Sequence, residues 1–323
     1  MTVELTPAAP PASEPFHLER RLEPLALERR LLERPQPAPS RATIPPGTQI
    51  AERYRITSVI GSGATGVVYK AKHVELGTPV ALKVIHPEVL QDSSSWRRFT
   101  REARALGAIH NKHVVRVHDV GSFGDDRRYV VMEFLRGENL SEHLANHGPL
   151  PITRAVDIAL EICSALGDAH RHQIIHRDIK PRSVFLARYA ACEPTVKLLD
   201  FGLALFLDDA NQGPASARQP NSTRGTGPPC YPSPEYILNP RRVDGRSDLF
   251  SVGRLVLDLL ADRPDVPSEL VNVAQRCLEG NPDRRPQNAQ ELSAALEQFS
   301  SRRAGARKQN PLDASNSRTR SAR

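Results

Sequence analysis

The chain reads as an α+β protein of two unequal lobes, a small strand-rich one followed by a larger helical one. Short β-branched runs crowd residues 54–134, and from Leu140 onward apolar residues recur at helical spacing. The length of 323 residues allows both lobes a shared core burying roughly three quarters of the unfolded surface. Composition is globular from Tyr54 to about Phe299, and the junction falls near Glu133 to Gly137. The first lobe is therefore placed over 54–135 and the second over 136–299, with no internal repeat.

Residues 1–48 hold ten prolines and no sustained period, so they read as a disordered Pro/Arg-rich leader. Leu18, Leu22, Leu25 and Leu32 fall at helical spacings there, but Pro24 interrupts the pattern. Strands follow in Tyr54 to Ile60, Val67 to Lys72, Val80 to Ile85, Val114 to Val120 and Tyr129 to Phe134. Among them lies one helix: Ser93 to Ser95 supply caps before the stripe Trp96, Phe99, Ala103 and Leu106. In the second lobe, Ala155, Ile158, Ala159, Ile162, Leu166 and Ala169 trace a longer one.

The net charge of +7 suggests nucleic acid until it is located. Seven basic side chains against the single acid Asp313 lie in residues 301–323, so nearly all the excess sits in a tail too polar to fold. Residues 300–323 thus read as a disordered basic tail, suited to an acidic partner if to any. The chain holds no run of 18 apolar residues, and its first residues lack the basic flank and apolar stretch of a secretory signal. A cytoplasmic protein without a membrane span is expected. Cys163, Cys192, Cys230 and Cys277 are scattered without CxxC spacing, which disfavours disulfides and zinc and fits reduced thiols.

Chemistry enters with Gly61-Ser62-Gly63-Ala64-Thr65-Gly66-Val67-Val68, a G-x-G-x-x-G-x-V run. Dinucleotide-binding folds carry the same glycines, but there a helix follows, whereas here Val67 to Ala71 continue as a strand. The glycines therefore cap a hairpin whose backbone N–H groups can cover a triphosphate. One strand later, Ala81-Leu82-Lys83-Val84 presents a lysine. Glu102 lies on the apolar stripe of the first helix, where a carboxylate is costly unless paired, and Lys83 is its natural partner. Two further carboxylates follow apolar, strand-like residues: Asp178 in His176-Arg177-Asp178-Ile179-Lys180-Pro181, and Asp200 in Asp200-Phe201-Gly202. One acid to take a hydroxyl proton and one to grip Mg²⁺ are what phosphoryl transfer from ATP to an alcohol needs.

In these motifs, in this order, the chain resembles the eukaryotic-like (bacterial-type) serine/threonine protein kinase family. The resemblance implies a bilobal protein kinase-like fold over 54–299 and transfer of the γ-phosphate of Mg-ATP to a Ser or Thr hydroxyl of a protein. It implies that Lys83 orients the α- and β-phosphates and that Asp178 accepts the hydroxyl proton. Lys180, at a position that sets serine/threonine kinases apart from tyrosine kinases, would place its charge on the transferring phosphate, and Asp200 would ligate Mg²⁺. At the adenine end Met132 limits access to a back pocket, and Glu133 and Leu135 offer backbone hydrogen bonds. Val68, Ala81 and Phe185 sandwich the ring, with Ile60, Gly61, Ser62, Gly63 and Gly66 closing over the nucleotide. His176 takes a packing role, and the spacing of His170, His172 and His176 fits no ligand helix.

Asp248-Leu249-Phe250-Ser251-Val252-Gly253 resembles the family's buried helix start, and Arg285 in Pro282 to Pro286 is expected to pair with Glu235 of Ser233-Pro234-Glu235. Arg177 suggests control by phosphorylation of Ser222 or Thr223, including autophosphorylation, although Leu205 replaces a basic residue that relatives often have. The stretch from Gly253 to Arg285 is shorter than in typical relatives, so a helix that supports substrate docking is expected to be reduced or missing. Ser183 is the main departure, since the family carries asparagine there for a second Mg²⁺. Serine is shorter, and Mg²⁺ holds oxygen ligands at about 2.1 Å, so a water would bridge the gap. Losing one contact of ~1 to 3 kcal/mol slows transfer roughly five- to 150-fold without abolishing it. The alternative is a pseudokinase, a nucleotide-binding or scaffolding module in which Ser183 and the trimmed second lobe record lost chemistry.

Overall fold

The computed structural model describes residues 43–63, 65–89, 93–124, 127–189, 193–201, 231–239, 243–261 and 263–301. The leader over 1–42, the tail over 302–323 and most of the segment carrying Ser222 and Thr223 lie outside them.

The first lobe is a six-stranded antiparallel sheet in the order β1-β2-β3-β4-β6-β5. Its strands are β1 (Gln49–Ile50), β2 (Tyr54–Gly63), β3 (Gly66–His73), β4 (Pro79–Ile85), β5 (Val117–Phe123) and β6 (Arg127–Glu133). Side chains alternate across a strand, so β4 sends Val80, Leu82 and Val84 to one face and Ala81 and Lys83 to the other. Leu82 packs with Tyr54, Ile56, Tyr69 and Val131 in a cluster covered by Ile44 and Ile50. On the opposite face α1 (Ser93–Gly107) sets Phe99 and Ala103 against Ile85, Val89 and Val130. Folded structure therefore begins before Tyr54: Ile44 is buried, and its N–H donates to the Tyr69 hydroxyl at 3.0 Å. β5 runs three residues later than its apolar run suggests, because Val114 and Val115 leave the sheet and join the second lobe's β9 side.

The second lobe opens with a three-stranded sheet of β7 (Gly137–Asn139), β8 (Val184–Ala187) and β9 (Thr195–Leu198). Asn139 also caps α2 (Leu140–His147): its side chain accepts from the Glu142 N–H while the Glu142 carboxylate accepts from the Asn139 N–H. The core is built around α3 (Ile152–Arg171), whose Ala155, Ile158, Ile162 and Leu166 are fully buried. Against it pack α5 (Gly245–Leu260) and α7 (Ala289–Leu296), with α6 (Ser268–Cys277) bridging them and the short α4 (Pro234–Leu238) preceding. Only residues 261–267 separate α5 from α6. Ser300 and Ser301 donate to the buried Asp157 carboxylate at 2.5 Å each, so order extends to the first residues assigned to the tail.

Arg285 ties the far end of this lobe together. It is fully buried, and its guanidinium grips both oxygens of Glu235 at 2.7 and 2.8 Å, donates to the Glu279 and Arg246 carbonyls, and stacks on Phe250. Desolvation raises the Glu235 carboxyl's pKa, but the bond from Arg285, with the Arg285 charge and the local hydrogen bonds, brings the net direction down. Glu235→Ala leaves a buried, uncompensated guanidinium and should cost about 3–5 kcal/mol, read as a lower urea midpoint at unchanged slope.

Candidate active site

The register of the first sheet gathers one set of predicted residues. Val68 lies opposite Lys83 and Met132 opposite Ala81, so all four share the sheet face that carries Lys83. Gly61 and Gly63 end β2 and Gly66 begins β3, so the glycine run caps a hairpin and no helix follows. A side chain at Gly66 would place its Cβ 2.2 Å from the Val84 carbonyl oxygen, which makes glycine obligatory there. Ile60 is half exposed at this edge. Glu133 and Leu135 sit where the chain leaves the sheet; the Glu133 N–H is committed to the Arg116 carbonyl at 3.0 Å. Phe185, on β8, is paired with Asn139 beneath that crossing.

The second set is held by one buried acid. Asp248, in the first turn of α5, is fully buried and accepts from the His176 N–H at 2.9 Å, the Arg177 N–H at 2.8 Å and the His170 Nε2 at 2.7 Å. Desolvation pushes the Asp248 carboxyl's pKa up, yet the bond from His170 and the neighbouring imidazoles bring it below the ordinary aspartate range. His176 extends the network. Its Nε2 faces the Leu199 carbonyl at 2.7 Å and its Nδ1 faces the Asp178 N–H at 3.2 Å. A carbonyl only accepts, so the proton is on Nε2 and Nδ1 is the acceptor. The imidazole also packs on the Phe201 ring, with centroids 4.6 Å apart, and so joins the Asp178 loop to the Asp200 loop.

Ile174 and Ile175 are not a strand. Asp178 sits in an irregular loop whose shape comes from these bonds, whereas Asp200 follows β9 as expected. Arg177 and Asp200 both adopt left-handed backbone conformations, with φ of +67° and +61°. Non-glycine residues do so at a cost, and they persist where the surroundings over-determine them, as here.

The four charged side chains form two pairs. Lys83 Nζ lies 2.7 Å from Asp200 Oδ1, and Lys180 Nζ lies 2.7 Å from Asp178 Oδ2. Lys83 is almost completely buried, while the carboxylate of Asp200 opens to the cleft. Desolvation raises the Asp200 carboxyl's pKa, but the Lys83 ammonium overrides it and Lys180 and His176 add to the lowering, so Asp200 is ionised at neutral pH. Lys180 thus acts on both acids. Glu102 lines the same cavity as Lys83, Asp200 and Met132.

Ser183 is buried, and its hydroxyl is engaged locally: it accepts from the Lys180 N–H at 3.0 Å and donates to the Lys180 carbonyl at 2.9 Å. Sequence reasoning missed a further residue here. Lys197, buried on β9, reaches the Glu133 carboxylate at 2.6 Å and braces the crossing between lobes. A lone lysine in an apolar strand was the only signal available.

Comparison with known proteins shows the family and the fold. A family model described as "Protein kinase domain" matches residues 54–303. Serine/threonine-protein kinase pkn3 of Myxococcus xanthus is 36% identical over 214 residues, 66% of this chain and 38% of that protein. Serine/threonine-protein kinase PknB of Mycolicibacterium smegmatis is 31% identical over 277 residues, 76% of this chain and 43% of the relative. The chain therefore spans less than half the length of these relatives. The crystal structure of the Mycobacterium tuberculosis PknI kinase domain superposes with a TM-score of 0.64 at 26% identity, covering 80% of this chain and all of that one.

Asp248→Asn replaces an ion that accepts three bonds by a neutral amide and should cost about 2–4 kcal/mol at pH 7. The sign of the pH effect follows from the lowered folded-state pKa. The ionised acid contributes stability above the unfolded carboxyl's pKa of about 4, and that contribution is lost as pH falls through the folded value. Urea denaturation at pH 7 and at progressively lower pH should show the gap between wild type and Asn variant closing in acid.

Proposed function

The chain belongs to the protein kinase domain family, and on that premise we propose that it transfers the γ-phosphate of Mg-ATP to a serine or threonine hydroxyl of a protein. The observation that carries this reading is the pairing of Lys83 with Asp200 and Asp178 with Lys180 on one network, with Lys180 also lowering the Asp200 pKa. The names of the relatives, serine/threonine-protein kinases, support the same chemistry.

Each role follows from the side chain's surroundings. Asp178 is partly exposed, fixed by the His176 imidazole behind its N–H, and placed to accept the proton of an incoming hydroxyl. Lys180 neutralises that acid at rest and supplies positive charge where the transferred group gains negative charge. Asp200 is a hard, ionised oxygen donor and suits Mg²⁺; Lys83 would hold the α- and β-phosphates, with Glu102 lining the same cavity. When bound, Mg-ATP supplies the electrophilic phosphorus and the charge that offsets its triphosphate. The adenine would meet Ile60, Val68, Ala81, Met132 and Phe185, with the Glu133 carbonyl and the Leu135 backbone as polar contacts, and the Gly61 to Gly66 turn would cover the phosphates. An intact charged quartet argues against a module that only binds nucleotide.

Regulation by autophosphorylation at Ser222 or Thr223 remains part of this reading. Arg177, whose buried Nε has no hydrogen-bond partner among the described residues, would receive the phosphate. Among the described residues no helix is long and apolar enough to cross a membrane. A cytoplasmic location is proposed because ATP is the phosphate donor and Cys163 and Cys277 are free thiols.

Asp178→Asn should lower incorporation of labelled γ-phosphate into the protein or a basic test substrate by about 10²- to 10⁴-fold while leaving the ATP-dependent thermal shift in place. Equal incorporation by both proteins would overturn the assignment. At Ser183 the hydroxyl is spent on Lys180, so a metal ion would be reached only through water. Ser183→Asn is expected to raise the rate or to lower the Mg²⁺ concentration needed for half-maximal rate, and titration of Mg²⁺ at saturating ATP reads the difference.

A further inference from the structure

We propose that Glu138, His143 and His147 form a binding site for a first-row transition-metal dication, Zn²⁺ foremost, separate from the phosphoryl-transfer site. His143 and His147 are four residues apart on α2, which stacks them one turn apart on a single helix face. Glu138 comes from β7, just before the capping residue. His143 Nδ1 lies 3.0 Å and His147 Nε2 lies 3.1 Å from the same oxygen, Glu138 Oε1, and the three ligand atoms all fall within 4.8 Å of one another. Ligands at 2.0–2.2 Å around a tetrahedral Zn²⁺ are separated by roughly 3.4 Å, so atoms already within 4.8 Å of one another can close around an ion by side-chain rotation.

The scaffold is rigid where it must be. Glu138 is paired with Leu186 across β7 and β8, and the reciprocal Asn139–Glu142 bonds fix the first turn of α2. Two imidazoles and one carboxylate suit Zn²⁺ and its neighbours, whereas Mg²⁺ prefers oxygen alone. His147 is half exposed, which gives an ion a way in and leaves the fourth position to water. Two other contacts shape affinity. Asn146 donates to Glu138 Oε2 at 3.2 Å and orients the carboxylate, while Arg188 reaches Glu138 Oε1 at 3.2 Å and competes with any cation. Arg188 is largely exposed and free to swing into solvent. A bound ion would lock the first turns of α2 to the strand that follows the crossing between lobes, immediately below Phe185.

Metal-free full-length protein titrated calorimetrically with ZnCl₂, and with Co²⁺ for its visible absorption, tests this. One ion per chain is expected, with a tetrahedral Co²⁺ spectrum. His143→Ala with His147→Ala should weaken binding by about 100-fold or more, and Glu138→Gln by about 10-fold or more. Arg188→Gln should instead tighten it several-fold, since it removes the competing charge. His172→Ala, on an exposed histidine elsewhere, should change nothing. Absence of Zn²⁺ binding at 100 µM, or a double histidine variant that binds as the parent does, overturns the proposal; circular dichroism confirms that each variant is folded.

Discussion

The site depends on a carboxylate buried where no water reaches it. Asp248 has no exposed surface, and burying an unpaired ion costs several kcal/mol. That cost is offset only because three donors converge on it, two of them backbone N–H groups of the loop that carries Asp178. The helix α5, deep in the second lobe, thereby dictates the path of a segment that has no secondary structure of its own. The left-handed conformation of Arg177 is a consequence, since both its N–H and that of His176 must face the same acid.

From that anchor the influence runs outward through His176. Its tautomer is set by the Leu199 carbonyl on one side, and its other nitrogen supports the Asp178 N–H, while its ring carries Phe201. Asp178 and Asp200, distant in sequence, are thus parts of one rigid assembly, and their lysine partners complete a balanced set of charges. Balance matters because desolvation alone would raise the Asp200 carboxyl's pKa, and Asp200 is held ionised chiefly by Lys83.

The crossing between lobes is braced as well. Lys197 secures the Glu133 carboxylate from behind, and below it the β7 strand is fastened to β8 and to the capped start of α2. Glu138 stands at that junction with two histidines, an asparagine and an arginine around it. Ser183 belongs to the same theme of local closure: its hydroxyl pins the turn at Lys180, which keeps that lysine beside Asp178.

Much of this was legible in the residue order. Alternation of apolar residues marked the strands, helical spacing marked α1 and α3, and the glycine run, Lys83, Asp178 and Asp200 stood out by type and spacing as candidates for one site, because those patterns express local geometry. The Arg285–Glu235 pair was legible through its motifs. Other features were decided by the tertiary structure alone. That Lys83 meets Asp200, that Lys197 reaches Glu133, that Asp248 holds the loop of Asp178, and that Ile44 completes the first lobe's cover are contacts between residues far apart in sequence. Even His143 and His147, whose spacing is plain in the sequence, gain meaning only when pairing with β8 fixes Glu138 beside them. Local pattern sets which element forms, whereas the partner of a buried charge is chosen by which elements the fold packs together, and no spacing along the chain encodes that.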